Sequence, residues 1–236
     1  MANNYFSFKQ FIIQQGKSTF KVGTDGVLLG ASANISGMKK ILDIGSGTGL
    51  IAIMLAQRSN AEIVAIEPDH DSFLQAKENI SLCKWSSRIK VEHTDLQEYD
   101  PGEEKYDLII TNPPYFTDSL KCQDPRKTAA RHNDTLSSVE LLTGVARLLD
   151  DNGIFQLIMP YVEGMVFIAE ANSYKLFCNR LLKIRPLPTA DVRRLIMTFS
   201  RDRIKSTESF LTIEHGKRHE FTDEYINLTK DFYLKF

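Results

Sequence analysis

Four consecutive residues, Asn112, Pro113, Pro114 and Tyr115, gather two hydrogen-bond acceptors and one aromatic face at a single point of the chain. The Asn112 side chain supplies one carbonyl and the Pro113 backbone another, and neither proline has an N–H to satisfy them locally. Two prolines in succession also favour extended backbone, so the acceptors are held in place before anything binds. A planar amino group can sit between two such acceptors while the Tyr115 ring stacks on the group that carries it. By itself the tetrapeptide would pass for an ordinary strand-ending turn; residues upstream give it a chemical context.

Those residues are Asp43, Gly45, Ser46, Gly47, Thr48 and Gly49, followed by Glu67 and Asp95. Glycines at alternate positions let the backbone approach a ligand with no Cβ in the way. The spacing is GxGxG, whereas the dinucleotide fingerprint is GxGxxG and a phosphate loop ends in Gly-Lys-Ser/Thr, so a nucleoside fits better than a pyrophosphate. Glu67, at the end of a predicted strand, is placed to accept from both hydroxyls of a ribose, and Asp95 could meet an adenine amino group. Basic residues cluster twice: Lys121, Arg126, Lys127 and Arg131 just after the tetrapeptide, then Lys183, Arg185, Arg193, Arg194, Arg201, Arg203 and Lys205. Grouped cations bind phosphates when they share one face. His132 reads as a packed or capping residue rather than a catalyst.

Apolar runs must deliver these groups. Residues 40–44 lead into the glycines as a strand and 50–58 follow as a helix; then come strand 62–66, helix 69–82 and strands 89–92 and 106–111. Alternation of strand and helix gives a parallel sheet covered by helices, whose ligands settle at the carboxyl ends of the strands near the switch in strand order. The expected architecture is therefore α/β, a doubly wound, mostly parallel sheet with helices on both faces. Downstream the pattern predicts helix 137–149 with Gly153 as its stop, strand 154–159, helix 163–172, strands 177–184 and 194–199, a short strand 210–213 and a closing helix 222–233. Upstream, residues 6–13 and 19–22 have β character around a polar turn at 14–18, which predicts an N-terminal hairpin. Thr24 or Asp25 is expected to cap a helix over 27–33.

With 236 residues, 42% of them apolar and 25% charged, the chain has ample material for one core. Its 29 Lys and Arg stand against 30 Asp and Glu, which excludes a global attraction to nucleic acid and makes any basic surface local. Cys83, Cys122 and Cys178 show no CxxC spacing, which argues against a disulfide framework or a zinc site and for a reducing compartment. No apolar run approaches the roughly 20 residues that span a bilayer, and the first five residues lack a basic leader region. The expected location is cytoplasmic.

Asp43 through Gly49, Glu67 and the Asn-Pro-Pro-Tyr tetrapeptide together resemble the class I S-adenosylmethionine-dependent methyltransferases, over roughly residues 40–199. In that class the tetrapeptide accompanies methylation of planar nitrogens: adenine N6, cytosine N4, guanine N2 or a glutamine amide. The flanks, Phe8-Lys9-Gln10-Phe11, Lys21 through Ala31, and Ala130-Arg131-His132, are similar to the bacterial tRNA1(Val) adenine-37 N6-methyltransferase family. The resemblance implies a Rossmann-like, seven-stranded class I methyltransferase fold. Residues 1–38 would form an N-terminal hairpin and cofactor-covering segment, and residues 39–236 one compact methyltransferase domain. It further implies S-adenosylmethionine as cofactor and, as substrate, an adenine in a tRNA anticodon loop, methylated on N6. Asn112, Pro113 and Tyr115 would be catalytic. Lys21, Thr24, Asp43, Gly45, Ser46, Gly47, Thr48, Gly49, Glu67, Asp95, Leu96 and Asn112 would face the cofactor. Arg126, Lys127, Arg131, Lys183, Arg185, Arg193 and Arg194 would carry RNA phosphates. Neither a metal nor an obligate protein partner is implied. Release-factor glutamine methyltransferases share the tetrapeptide but carry a longer helical N-terminal domain, where this chain has about forty residues that read as a hairpin. A non-catalytic RNA-binding protein that retains the cofactor fold is a rival of another class, against which Asn112, Tyr115 and Glu67 argue.

Overall fold

The computed structural model of the protein describes residues 3–113 and 136–236. A hairpin of β1 (Tyr5–Ser7) and β2 (Ile12–Gln14) and a helix, α1 (Thr24–Ser32), precede the core. Strand and helix then alternate: β3 (Lys40–Ile44), α2 (Leu50–Arg58), β4 (Glu62–Ile66), α3 (His70–Leu82), β5 (Ile89–Glu92) and β6 (Tyr106–Thr111). From residue 136 onward come α4 (Ser138–Leu148), β7 (Leu149–Pro160), α5 (Tyr161–Ala171), β8 (Phe177–Arg185), β9 (Arg194–Ser200), β10 (Thr207–Thr212) and α6 (Asp223–Thr229). No described helix is long and apolar enough to cross a membrane.

The main sheet runs β10-β8-β9-β7-β6-β3-β4-β5, and every strand in it except β9 points the same way. Period-two alternation sorts the central strands between two cores. Ile41, Leu108 and Ile110 pack with α1, α2 and α3 on one face, while Leu42, Ile44 and Ile109 pack with α4 and α5 on the other. Burial on both faces is why these strands read as continuous apolar runs. The chain goes from β3 outward through β4 to β5, then crosses back to β6 on the other side of β3. Adjacent connections thus leave in opposite directions and open a crevice at the carboxyl ends of β3 and β6. The resemblance implies seven strands; the sheet has eight among the described residues, the eighth being the short strand expected near 210–213, which runs over 207–212 and pairs in parallel with β8 along its outer edge.

Three local expectations are corrected. The hairpin turns at residues 8–11 and not at 14–18: the Phe8 N–H donates to the Phe11 carbonyl at 2.9 Å, and the two rings stack 4.7 Å apart inside the core. Residues 15–22 form no strand, and the segment is held instead by side chains on α3. Asn79 accepts from the Gln14 N–H and donates to its carbonyl, both at 2.8 Å; Gln75 accepts from the Lys17 N–H at 3.1 Å; and the Ser72 and Ser18 hydroxyls meet at 3.1 Å. Spacings of three and four put residues 72, 75 and 79 on one face of the helix. Second, the cap of α1 is Gly23 and makes no side-chain cap bond; Thr24 and Asp25 lie in the first turn, where Asp25 reaches an arginine described below.

Third, Gly153 does not stop α4. That helix begins at a Ser137–Glu140 capping box and passes directly into β7 at Leu149. Gly153 stands inside β7 where the register with β6 shifts, and a Cβ there would come within 2.8 Å of the Tyr106 carbonyl oxygen and 3.1 Å of that of Asp150. Both obstacles are backbone and cannot rotate away. Gly153→Ala is therefore expected to lose about 1–3 kcal/mol of stability through overpacking, read from the midpoint of urea denaturation; an unchanged midpoint would show that the strand yields at this point.

Candidate active site

The chain leaves β3 at Ile44 and must turn at once into α2. Gly45 and Gly47 take left-handed φ values of 68° and 57°, a conformation that a side chain would strain. Among the described residues a Cβ at either position would meet no heavy atom within 4 Å, so the turn has an open side there. Its closed side is held by backbone: the Gly45 and Ser46 N–H groups donate to the Ile66 carbonyl at 2.9 and 3.1 Å, and the Gly49 N–H to the Ser46 carbonyl at 2.8 Å. Glu67 completes the frame. Its Oε2 accepts from the Gly47 N–H at 2.7 Å and its Oε1 from the Asp69 N–H at 3.0 Å, and each oxygen retains acceptor capacity. Burial raises the Glu67 pKa, and the two N–H bonds offset that only in part.

Asp43 lies fully buried behind the turn. Its Oδ2 accepts from the Ala52 N–H at 3.1 Å, and its Oδ1 has no partner among the described residues. Burial pushes its pKa up to about 7, with the Ala52 bond opposing and the nearby Glu67 reinforcing the shift. The carboxyl thus ties β3 to the first turn of α2. Ser46 and Thr48 are buried in the turn; the Ser46 hydroxyl has no partner among the described residues, and the Thr48 carbonyl accepts from Asn79 Nδ2 at 2.9 Å. Asp95 follows β5 half-buried, its Oδ1 accepting from the Glu98 N–H at 2.8 Å. Leu96 is buried against Gly144 of α4, where a Cβ would come within 2.5 Å of it.

Across the crevice, Thr111 ends β6 and donates its hydroxyl to the Ile44 carbonyl at 2.8 Å. That bond locks the ends of β3 and β6 together and fixes where Asn112, half-buried, and Pro113, buried, begin. A Cβ at Gly26 of α1 would stand 3.3 Å from Leu50 and 3.9 Å from the Asn112 amide nitrogen. The N-terminal end of α1 therefore crosses close over both the start of α2 and Asn112. Lys21 and Thr24 are exposed on the segment entering α1, and Asp25 pairs with Arg194 Nε at 2.8 Å, tying α1 to β9. Pro114, Tyr115, Lys121, Arg126, Lys127, Arg131 and His132 lie outside the described residues.

The second basic cluster divides by partner. Arg201 donates to the Ala146 and Leu149 carbonyls at 2.9 and 3.3 Å and so closes the end of α4. Lys183 pairs with Glu208, Arg185 Nε bonds the Thr212 hydroxyl at 2.9 Å, and Arg193 is exposed. Sequence reasoning missed Gly26, Thr111 and the polar face of α3. A stripe of buried polar residues at 72, 75 and 79 on a helix otherwise turned to the core was the available signal for the last.

The family described as methyltransferase small domain matches residues 20–159. Two curated relatives extend the likeness over the whole of both chains: the tRNA1(Val) (adenine(37)-N6)-methyltransferases of Trichodesmium erythraeum, 45% identical, and Parabacteroides distasonis, 47% identical. The chain belongs to the tRNA1(Val) (adenine(37)-N6)-methyltransferase family. Solved methyltransferases share its fold. A predicted O-methyltransferase from Agrobacterium tumefaciens superposes with a TM-score of 0.70 at 21% identity, over 88% of this chain and 96% of that one. A ribosomal protein L11 methylase from Lactobacillus delbrueckii does so with a TM-score of 0.57 at 16% identity, over 81% and 84%. The cofactor of this methyltransferase family is S-adenosylmethionine, and the residues present fit it: a glycine turn open where a Cβ would stand, spare acceptor capacity on Glu67, and a buried Ser46 hydroxyl without a described partner.

The Asp43 carboxyl makes stability depend on pH. Its pKa of about 7 in the folded chain lies above the roughly 3.9 of an unfolded aspartate. Between those values the folded state holds a proton that the unfolded state has lost, so stability falls as pH rises through that window and is level above it. Urea denaturation from pH 5 to pH 8 should therefore show wild type losing stability relative to Asp43→Asn, which stays neutral throughout; parallel profiles would mean an Asp43 that titrates normally.

Proposed function

We propose that this chain transfers the methyl group of S-adenosylmethionine to N6 of adenine 37, the base 3′ of the anticodon, in a tRNA1(Val). One observation carries the reading. The bond from Thr111 to Ile44 holds Asn112 and Pro113 beside the open glycine turn, so an amino group seated between their carbonyls faces whatever the turn holds. When bound, S-adenosylmethionine supplies an electrophilic methyl on a sulfonium. The full-length relatives, whose names specify adenine 37 of tRNA1(Val), support the substrate.

An adenine N6 is a poor nucleophile because its lone pair is delocalised into the ring. Asn112 Oδ1 and the Pro113 carbonyl accept its two hydrogens, favour a more tetrahedral nitrogen and stabilise the positive charge that grows there during transfer. The proton leaves afterwards to water, and no side-chain base is required. Tyr115 stacks on the adenine, a contact worth about 1–3 kcal/mol, and an unpaired loop base flips out at lower cost than a paired one. Glu67 accepts from ribose hydroxyls, while Gly45 and Gly47 let the nucleoside approach the backbone. Arg126, Lys127, Arg131, Lys183, Arg185, Arg193 and Arg194 are the cations proposed to meet the RNA. The tRNA substrate and the free thiols of Cys83 and Cys178 favour a cytoplasmic, reducing location.

Asn112→Ala removes an acceptor whose bond strengthens as the nitrogen becomes cationic, so kcat should fall about 100- to 1,000-fold while tRNA and cofactor affinities change little. Single-turnover methylation of an unmodified anticodon stem-loop, with product nucleosides identified by mass spectrometry, measures this. A rate within about threefold of wild type would remove Asn112 from the mechanism. N6-methyladenosine at another loop position only would leave the chemistry and overturn the choice of adenine.

A further inference from the structure

Beyond the crevice the carboxyl edge of the sheet continues through β7, β9, β8 and β10, a span from β6 of about 19 Å at roughly 4.8 Å per strand. Backbone bonds order what stands along it. The Tyr161 N–H donates to the Arg193 carbonyl at 3.2 Å, the Arg193 N–H to the Ile184 carbonyl at 2.8 Å, and the Ile213 N–H to the Arg185 carbonyl at 3.0 Å. On the outermost strand, two residues short of that edge, Phe210 is 58% exposed, with Lys183 Nζ and Arg185 Cζ over its ring at 5.7 and 5.8 Å from the centre. Phe210 belongs to neither hydrophobic core. A ring more than half exposed, with two cations over it, is suited to a nucleobase and its phosphates. The acids nearby are engaged: Glu208 pairs with Lys183 and Asp25 with Arg194. Glu208 is exposed and Lys183 mostly buried, so a phosphate binding there would compete with Glu208 for a cation it already holds.

We propose that this edge is the path of the substrate RNA and that Phe210 is a stacking platform for an unpaired base remote from the target adenine. The inference rests on the function proposed above. A distance of about 19 Å exceeds five stacked nucleotides at about 3.4 Å each, so the ring meets an outlying part of the RNA and not the neighbour of the flipped base. Unstacked bases splayed onto aromatic side chains are the usual means by which proteins read RNA outside its helices. The near-neutral chain leaves RNA affinity to local features of this kind.

The test is steady-state methylation of a full-length tRNA transcript by wild type, Phe210→Ala, Phe210→Trp and Arg185→Ala over a range of salt concentrations. Phe210→Ala should raise the KM for tRNA about 5- to 150-fold, the size expected for one lost base–aromatic stack, with the loss carried by KM rather than kcat. Its salt dependence should match wild type, because a ring releases no counterions, and Phe210→Trp should restore the KM. Arg185→Ala should raise the KM and flatten the salt slope by about one. An unchanged KM in Phe210→Ala, with wild type methylating tRNA normally, overturns the platform and leaves the function standing. Wild type that methylates no tRNA overturns both. Should Phe210→Ala split a wild-type dimer in light scattering and leave the tRNA KM unchanged, the face belongs to a second copy and the proposal fails.

Discussion

Two carboxylates kept from water behind one turn set the terms for the site. A buried carboxylate without partners costs several kcal/mol, and the backbone N–H groups of Ala52, Gly47 and Asp69 offset part of that at Asp43 and Glu67. Those bonds are also what shapes the turn. Asp43 ties β3 to α2, and Glu67 ties β4 to Gly47, so the open side of the glycines is a consequence of where the acids sit. It follows that replacing Glu67 with alanine would remove more than the ribose partner proposed above. The Gly47 N–H would lose its acceptor, and any fall in cofactor affinity would combine a lost contact with a relaxed turn.

The N-terminal segment is joined to the same frame by hydrogen bonds rather than by strand pairing. Asn79 holds both the Gln14 backbone and the Thr48 carbonyl, so the segment and the glycine turn share one anchor. Gly26 allows α1 to approach Leu50 and Asn112, and Asp25 carries the same helix across to β9 through Arg194. A displacement of α1 would therefore be felt on both sides of the crevice. Position is transmitted here through short, directional contacts between half-buried groups, which lose energy steeply with misalignment.

The strands and helices from residue 40 to residue 111 were legible because burial on both faces leaves an unbroken apolar run between turn residues, and the glycine and Asn-Pro-Pro motifs fall at the ends of those runs. The hairpin was misplaced because Phe8 and Phe11 look like strand residues, whereas their mutual stacking makes the turn. Gly153 was misread because a close backbone approach leaves no local trace that separates it from a helix stop. The basic residues showed their grouping and not their partners. Arg194 meets Asp25 across 169 positions of sequence, and Arg201 meets carbonyls at the end of α4, contacts that depend on a sheet order no local pattern contains.

The single antiparallel strand has a consequence for charge. Every other strand of the main sheet finishes at the carboxyl edge, but β9 starts there, with Arg194 level with Pro160 at the end of β7 and with Ile184 near the end of β8. The reversal places Arg193 and Arg194 on the same edge as Asn112; in a parallel β9 they would have stood on the opposite edge, some 20 Å away for a seven-residue strand at about 3.3 Å per residue. On the function proposed above, one edge would serve two ligands without overlap. The glycine turn and Glu67 stand on it over β3 and β4, Arg193 and Arg194 at the start of β9, Lys183 and Phe210 two residues in from it on β8 and β10, and Asn112 on β6, between the two. In that proposal a methyl donor and a large polyanion would meet at Asn112 while each is held by its own stretch of sheet.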